Sequence, residues 1–172
     1  NKDGSKMYII DSRERNTAAL YEMDMTSGNK KLIFEDPRCD VAGVSFNPVT
    51  KAVDAVESEY LKPEWALIQP TADAAPPMAA DFTAIRKAAG DGSIVINSRS
   101  LDDTRWVVSV APDNAPPKTW LVDRGDLSAP KRAPKVTLLF NTRPAWSDQP
   151  LVKMNPVVIK TRDGLEMVSY LS

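Results

Sequence analysis

Short segments in which apolar and polar residues alternate run along most of the chain. They are rich in β-branched and aromatic residues, and prolines, glycines and polar turns separate them at near-regular intervals. In chain order they are residues 6–10, 19–24, 31–34, 41–46, 52–60, 64–68, 93–97, 105–110, 119–123, 135–140, 157–160 and 166–171. A period of two is typical of strands with one buried face, so the pattern predicts an all-β sandwich, barrel or propeller.

One segment has the spacing of a helix instead. Residues 78–89 follow two prolines, are rich in alanine, and stop at Gly90. The apolar side chains that share one face of this segment are Met78, Phe82, Ile85 and Ala89. The spacing predicts a surface helix of two to three turns whose apolar face packs against the sheet, with binding of a partner as the alternative.

Two parts of the sequence repeat at an interval of 99 residues. The pairs that align without a gap are Met7 with Trp106, Tyr8 with Val107, Tyr21 with Trp120, Met23 with Val122, and Asp24 with Asp123. In both copies a polar turn after the aspartate leads to a further apolar segment, 32–34 or 138–140. An interval of this size holds two units of about 40 to 50 residues, which favours propeller blades over a sandwich.

The number of blade-like units predicts a partial propeller. About three units with one inserted helix are too few for a ring, which needs about four blades or more. We therefore expect residues 1–154 to be partial propeller blades within a longer protein. Such a truncated ring would leave apolar blade faces uncovered, which predicts self-association of the chain.

Composition excludes several classes of function. Twenty-two basic and 23 acidic residues give a net charge of −1, which provides no attraction to nucleic acid or to an anionic membrane surface. No apolar run is long enough to cross a bilayer. Nothing in the sequence distinguishes a cytoplasmic from a periplasmic location.

The most informative absence is histidine. The chain has none, which excludes a serine-histidine-aspartate relay and every histidine metal site within these residues. No serine lies in a Gly-x-Ser-x-Gly elbow. The single cysteine, Cys39, is expected to be a packed thiol because no histidine can activate it. We therefore predict no catalytic residue, no cofactor site and no metal site in this chain.

The C-terminal residues resemble a known junction between two domains. Pro156, Val157, Ile159, Arg162, Asp163, Gly164, Leu165, Tyr170 and Leu171 match the segment by which serine peptidases of the prolyl oligopeptidase family leave their β-propeller and enter the α/β-hydrolase domain. The match is to the branch of acylaminoacyl and dipeptidyl peptidases. Met167 stands where that family usually has leucine. The resemblance implies that residues 155–172 are a junction hairpin leading to a hydrolase domain absent from this chain.

Upstream segments resemble the propeller of the same family. They are Leu20, Tyr21 and Asp24 with Gly28, Leu32 and Ile33, then Phe46 to Lys51 before a strand, then Ser98, Ser100 and Asp102 before Val107. The resemblance is weakest over residues 70–92. It implies a non-catalytic propeller that gates short peptides into the hydrolase domain of a parent peptidase. The alternative is an independent propeller-like binding module with no peptidase partner.

Other polar groups have simpler interpretations. Asp102 and Asp103 are expected to form a turn. Glu57 and Glu59 share one face of a strand and are expected to be solvated, while Asp54 points to the other face. An acid pair or a hard-cation site is the alternative for both groups. The cations Lys131, Arg132 and Lys135 are expected in a solvated turn, with a docking contact to another domain as the alternative. Trp65, Trp106, Trp120 and Trp146 are expected in blade cores and in the packing between blades, with a ligand cage as the alternative. Arg99, Arg105 and Arg143 are weaker candidates to line a central channel and receive a peptide carboxylate.

Overall fold

The computed structural model describes residues 3–69, 75–129, 132–147 and 149–172. These residues form one α-helix, α1 (Ala79–Ala89), and a 3-10 turn at Pro144–Trp146. The strands, in chain order, are β1 (Lys6–Asp11), β2 (Ala19–Asp24), β3 (Lys30–Phe34), β4 (Val41–Phe46), β5 (Val53–Glu59), β6 (Pro63–Leu67), β7 (Ser93–Arg99), β8 (Arg105–Ala111), β9 (Lys118–Asp123), β10 (Lys135–Asn141), β11 (Asn155–Lys160) and β12 (Glu166–Leu171). The prediction of short strands interrupted by a single helix is confirmed over the described residues.

The strands form four small antiparallel sheets. Their orders are β1-β2-β3, β4-β5-β6, β10-β9-β8-β7 and β11-β12, so each sheet is a meander of neighbours in sequence. Pro63 is the first residue of the edge strand β6, a position where proline costs no ladder hydrogen bond. No barrel closes among the described strands. The all-β architecture is confirmed, and the β10-β9-β8-β7 sheet has the four strands of a typical propeller blade.

The chain divides into two compact units, and the first is Asn1–Ala79. Its core is built from Leu20, Val41, Val53 and Val56, with side chains from both sheets of this unit packed against them. The Tyr8 and Phe46 rings meet at 5.4 Å between centroids. Alternation along the strands thus produces one apolar core between the two sheets of the unit.

The second unit, Ala80–Ser172, contains most of α1, the four-stranded sheet and the β11-β12 hairpin. Strand β8 alternates strictly, and it buries Trp106, Val108 and Val110. Ile94 and Val122 on the neighbouring strands are buried as well. Helix α1 ends where Gly90 adopts a φ of 78° and donates its N–H to Arg86 O at 2.9 Å, a common C-terminal cap.

The internal repeat is confirmed by the strand registers. The partners in the first copy are Met7 with Met23, Ile9 with Tyr21, Tyr21 with Leu32, and Leu20 with Phe34. The partners in the second copy are Trp106 with Val122, Val108 with Trp120, Trp120 with Leu138, and Thr119 with Phe140. Each pair maps onto its counterpart by the predicted alignment, and the register slips by one residue at the same point of the third strand in both copies.

The shared aspartate has the same local role in each copy. The Oδ1 atom of Asp24 accepts the N–H groups of Thr26 and Ser27, and that of Asp123 accepts the N–H of Gly125. An aspartate that binds the backbone two residues ahead starts a turn. The repeat therefore extends from the strand register to the chemistry of its turn. None of the described helices is long and apolar enough to cross a membrane.

Candidate functional site

The largest group of charged side chains in the described core lies in the second unit and is centred on Asp103. This residue ends the turn after β7 with a φ of 60° and is 1% exposed. Its carboxylate accepts hydrogen bonds from Arg99 Nε at 2.7 Å, Arg99 Nη2 at 2.6 Å and Trp106 Nε1 at 2.7 Å. Arg124 Nη1 also donates to it. Four donors from three side chains thus surround one buried carboxylate.

Two guanidinium groups pack on the same indole ring. The Cζ atom of Arg124 lies 4.2 Å from the centroid of Trp106, and that of Arg99 lies 4.9 Å from it. Trp106 is completely buried. Cation–π contacts strengthen when they are shielded from water, so the ring holds both cations beside Asp103.

Helix α1 joins this group through Asp81 in its first turn. Asp81 is fully buried and accepts Arg124 Nη2 at 2.8 Å. It also accepts Arg132 Nη1 at 2.8 Å and Nη2 at 2.9 Å, a two-pronged pairing. We call Asp81, Arg99, Asp103, Arg124 and Arg132, with Trp106, the ion-pair cluster. It ties the helix to the four-stranded sheet.

The electrostatics of the ion-pair cluster favour the charged form of Asp103. Burial raises the pKa of Asp103, but hydrogen bonds from Arg99 and Trp106 and the charge of Arg124 outweigh it and hold the pKa below its ordinary value. Hydrogen bonding to Asp81 raises the pKa of Arg132. A carboxylate with a lowered pKa whose oxygens already accept hydrogen bonds from guanidinium groups is a poor proton acceptor. The cluster is therefore suited to fixing structure rather than to acid–base chemistry.

A second feature of the same unit is an open pocket of about 400 Å³. It is lined by Ala115, Pro116, Pro117, Thr142, Arg143, Trp146 and Leu151, and we call it the Arg143 pocket. The β8-β9 loop forms one wall, and the residues that follow β10 form the other. Thr142 fastens the two walls, because its N–H and its Oγ1 donate to Pro117 O at 3.1 and 2.7 Å.

The predicted acidic positions lie apart from both features in sequence. Asp54 is buried, Glu57 is half-buried and Glu59 is exposed. Burial, followed by repulsion from Glu59, raises the pKa of Glu57, so that side chain is not simply solvated. Burial likewise raises the pKa of the Cys39 thiol, which opposes nucleophilic reactivity. Among the described residues no group of three or more side chains is arranged to hold a metal ion.

Several sequence-based expectations need correction. Arg132 is not in a solvated turn, since its side chain is 10% exposed and binds the helix residue Asp81. Lys135 is exposed, and Lys131 lies outside the described residues. Asp102 and Asp103 do form a turn, but only Asp102 is solvated. The acidic partner of Arg132 lies 51 residues earlier in the sequence, where local inspection does not reveal it.

The tryptophan and arginine candidates differ in burial and in the partners that they contact. Trp106 lies in the core and Trp65 and Trp120 are half-buried, whereas Trp146 is 52% exposed and lies outside a blade core. That Trp146 packs between blades stays a prediction. Of the three arginines proposed to receive a carboxylate, Arg99 is already paired with Asp103 and Arg105 lies 4.0 Å from Asp123. The third, Arg143, lines the pocket next to Trp146.

The sequence of the chain was compared with those of known proteins. No protein-family model matches the chain. Dipeptidyl aminopeptidase BIII of Pseudoxanthomonas mexicana is 39% identical over 170 residues, which is 99% of this chain and 23% of that protein. Dipeptidyl peptidase family member 6 of Caenorhabditis elegans is 25% identical over 143 residues, 83% of this chain and 18% of that protein. The chain is thus similar to dipeptidyl peptidases and spans about a quarter or less of the length of these relatives.

Proposed function

We propose that the chain is a non-catalytic propeller segment of a dipeptidyl peptidase that controls the access of peptides to a separate hydrolase domain. The observation that carries this proposal is the 39% identity, over nearly the whole chain, to a protein named as a dipeptidyl aminopeptidase. The absence of histidine and of a Gly-x-Ser-x-Gly elbow supports it further, since serine peptidase chemistry must then reside in other residues.

The blade-like sheets support the gating part of the proposal. Antiparallel meanders, one of which is joined to helix α1 by the buried pairs of the ion-pair cluster, can form a fixed wall around an entrance. A wall of this kind excludes folded proteins and admits short, extended peptides. In this proposal residues 1–154 form the wall.

The β11-β12 hairpin supports the proposed junction. Among the described strands, β11 and β12 pair only with each other. Six residue pairs join them, from Asn155 with Leu171 to Lys160 with Glu166. Val158, Ile159, Met167 and Leu171 are all exposed on it. A two-stranded sheet is marginally stable alone, so we propose that residues 155–172 lead into, and are covered by, an α/β-hydrolase domain.

The reading frame that encodes the chain provides the test. We expect it to continue beyond Ser172 with a Gly-x-Ser-x-Gly motif and a later histidine. A fluorophosphonate probe should then label the product of the extended frame and leave the 172-residue chain unlabelled. Stoichiometric labelling of a serine in the short chain would contradict the proposal. A stop codon close after Ser172 would favour the independent binding module instead.

A further inference from the structure

The Arg143 pocket has the features of a preformed ligand site. Its two walls are already joined by the hydrogen bonds from Thr142 to Pro117, so no ligand is needed to assemble it. The described residues that line it are mostly apolar, and one of them, Arg143, carries a charge. An apolar cleft with one placed polar group is the usual form of a small-ligand site, in which the polar group sets orientation.

The charge of the pocket selects the class of ligand. The guanidinium of Arg143 lies over the Trp146 ring, with its Cζ 5.9 Å from the centroid. Among the described residues no carboxylate pairs with it, in contrast to Arg99 and Arg105. A guanidinium held beside an aromatic ring keeps a planar set of donors that matches a carboxylate. The pocket is therefore complementary to an anion with two acceptor oxygens.

The apolar surface beside Arg143 favours the C-terminal carboxylate of a peptide over the side chain of an internal acidic residue. Trp146 is 52% exposed and Leu151 is 37% exposed, so an apolar surface lies close to the guanidinium. At the C-terminus of a peptide, the carboxylate and the last side chain are attached to the same Cα atom, so charge and apolar group arrive together. An internal acidic residue carries its carboxylate at the end of its own side chain, and any apolar group must come from a neighbour.

We infer that the Arg143 pocket binds the C-terminal carboxylate of a short peptide, with the last side chain packed on Trp146. The inference rests on the proposed function, because it gives the propeller segment a contact with peptides that a dipeptidyl peptidase would admit. It assigns that contact to the end of the peptide opposite the one from which dipeptides are released.

Calorimetric titration with matched peptides tests the inference on the full 172-residue chain. The probes are N-acetyl-Ala-Ala-Phe as the free acid, the same peptide as its C-terminal amide, and the amide of N-acetyl-Ala-Glu-Phe. We expect the free acid to bind about tenfold or more tightly than either amide, because a charge-assisted hydrogen bond is lost in both. Its affinity should also fall as salt is added.

Variants of the pocket give the second arm of the test. Arg143→Gln should remove the preference for the acid, and Trp146→Leu should weaken the free acid and its simple amide alike. Arg105→Gln removes the same charge from an exposed arginine outside the pocket lining and should leave the titration unchanged. Circular dichroism of each variant verifies that it is folded.

Three outcomes would overturn the inference: no detectable binding of the free acid, equal binding of acid and amide, or unchanged binding by Arg143→Gln. Tighter binding of the glutamate-containing amide would assign the pocket to internal acidic residues instead. These results are independent of the reading frame beyond Ser172. The absence of a hydrolase domain would therefore refute the proposed function without altering the measured preference for a carboxylate.

Discussion

Replacement of Asp103 by asparagine is the most direct way to measure what the ion-pair cluster contributes. Asparagine has nearly the same shape as aspartate and tolerates the φ of 60° at this position. Its side-chain oxygen can still accept the Trp106 Nε1 hydrogen bond. The substitution therefore removes the negative charge that faces Arg99 and Arg124. It also puts an amide N–H donor in place of Oδ2, the oxygen that accepts hydrogen bonds from Arg99 Nη2 and Arg124 Nη1.

The expected loss of stability follows from the burial of the partners. The Arg99 and Arg124 side chains are 9% and 2% exposed, so water cannot replace the missing carboxylate charge. Breaking a buried pair by removing one partner costs about 3 to 5 kcal/mol. Asp102→Asn is the matched control in the same turn. That carboxylate is exposed and accepts hydrogen bonds from Ser100 and Thr104, which asparagine can also accept, so we expect a much smaller change.

Urea unfolding followed by tryptophan fluorescence measures this difference, because Trp106, Trp120 and Trp146 all lie in the second unit. The pKa of Asp103 is depressed in the folded state, so its contribution is present above the unfolded pKa of about 4 and is lost as the pH falls through the lower folded value. The Asp103→Asn variant should therefore lose less stability on acidification than the parent. Equal midpoints for the Asp102 and Asp103 variants at pH 7 would refute the reasoning.

Three further predictions concern other parts of the chain. Glu57→Gln should raise stability at pH 7 and leave it unchanged well below pH 4. The raised pKa of Glu57 means that its ionised form, which is present at pH 7, destabilises the folded state. A loss of stability at pH 7 would contradict this. Gly92→Ala should lower the free energy of unfolding in urea by at least ~2 kcal/mol, because the new Cβ would lie 2.8 Å from the backbone carbon of Ala111 and the backbone has a φ of 149°. The control Gly90→Ala has open space around its Cβ and should lower it by about 1 kcal/mol. Self-association stays a prediction, and sedimentation equilibrium at micromolar concentration should detect species larger than a monomer, while a clean monomer that binds no hydrophobic dye would oppose it.

Local patterns predicted the sheets well because each strand pairs with its neighbour in sequence. The alternation along β8 and the shared aspartates of the repeat required no knowledge of distant residues. Turn chemistry was equally local, as the backbone hydrogen bonds of Asp24 show.

The ion-pair cluster could not be predicted in the same way. Asp81 was placed on a helix whose apolar face was expected to pack, and nothing nearby in sequence indicated that this carboxylate would be buried as well. Its partners Arg124 and Arg132 follow 43 and 51 residues later. The sequence indicates Arg143 and Trp146 only as two separate candidates, because the pocket forms only when the β8-β9 loop lies next to them in the fold.

The separation of Asp81 from its partners in sequence also affects when helix α1 can pack during synthesis on the ribosome. When the ribosome adds Asp81, neither of its two arginine partners has been made, and Arg124 is added 43 residues later. At about 5 to 20 residues per second, that interval lasts roughly 2 to 9 s. A carboxylate cannot remain buried and charged alone, so during this time the helix must stay hydrated. The four-stranded sheet can receive the helix only after the polypeptide through Arg132 has left the exit tunnel.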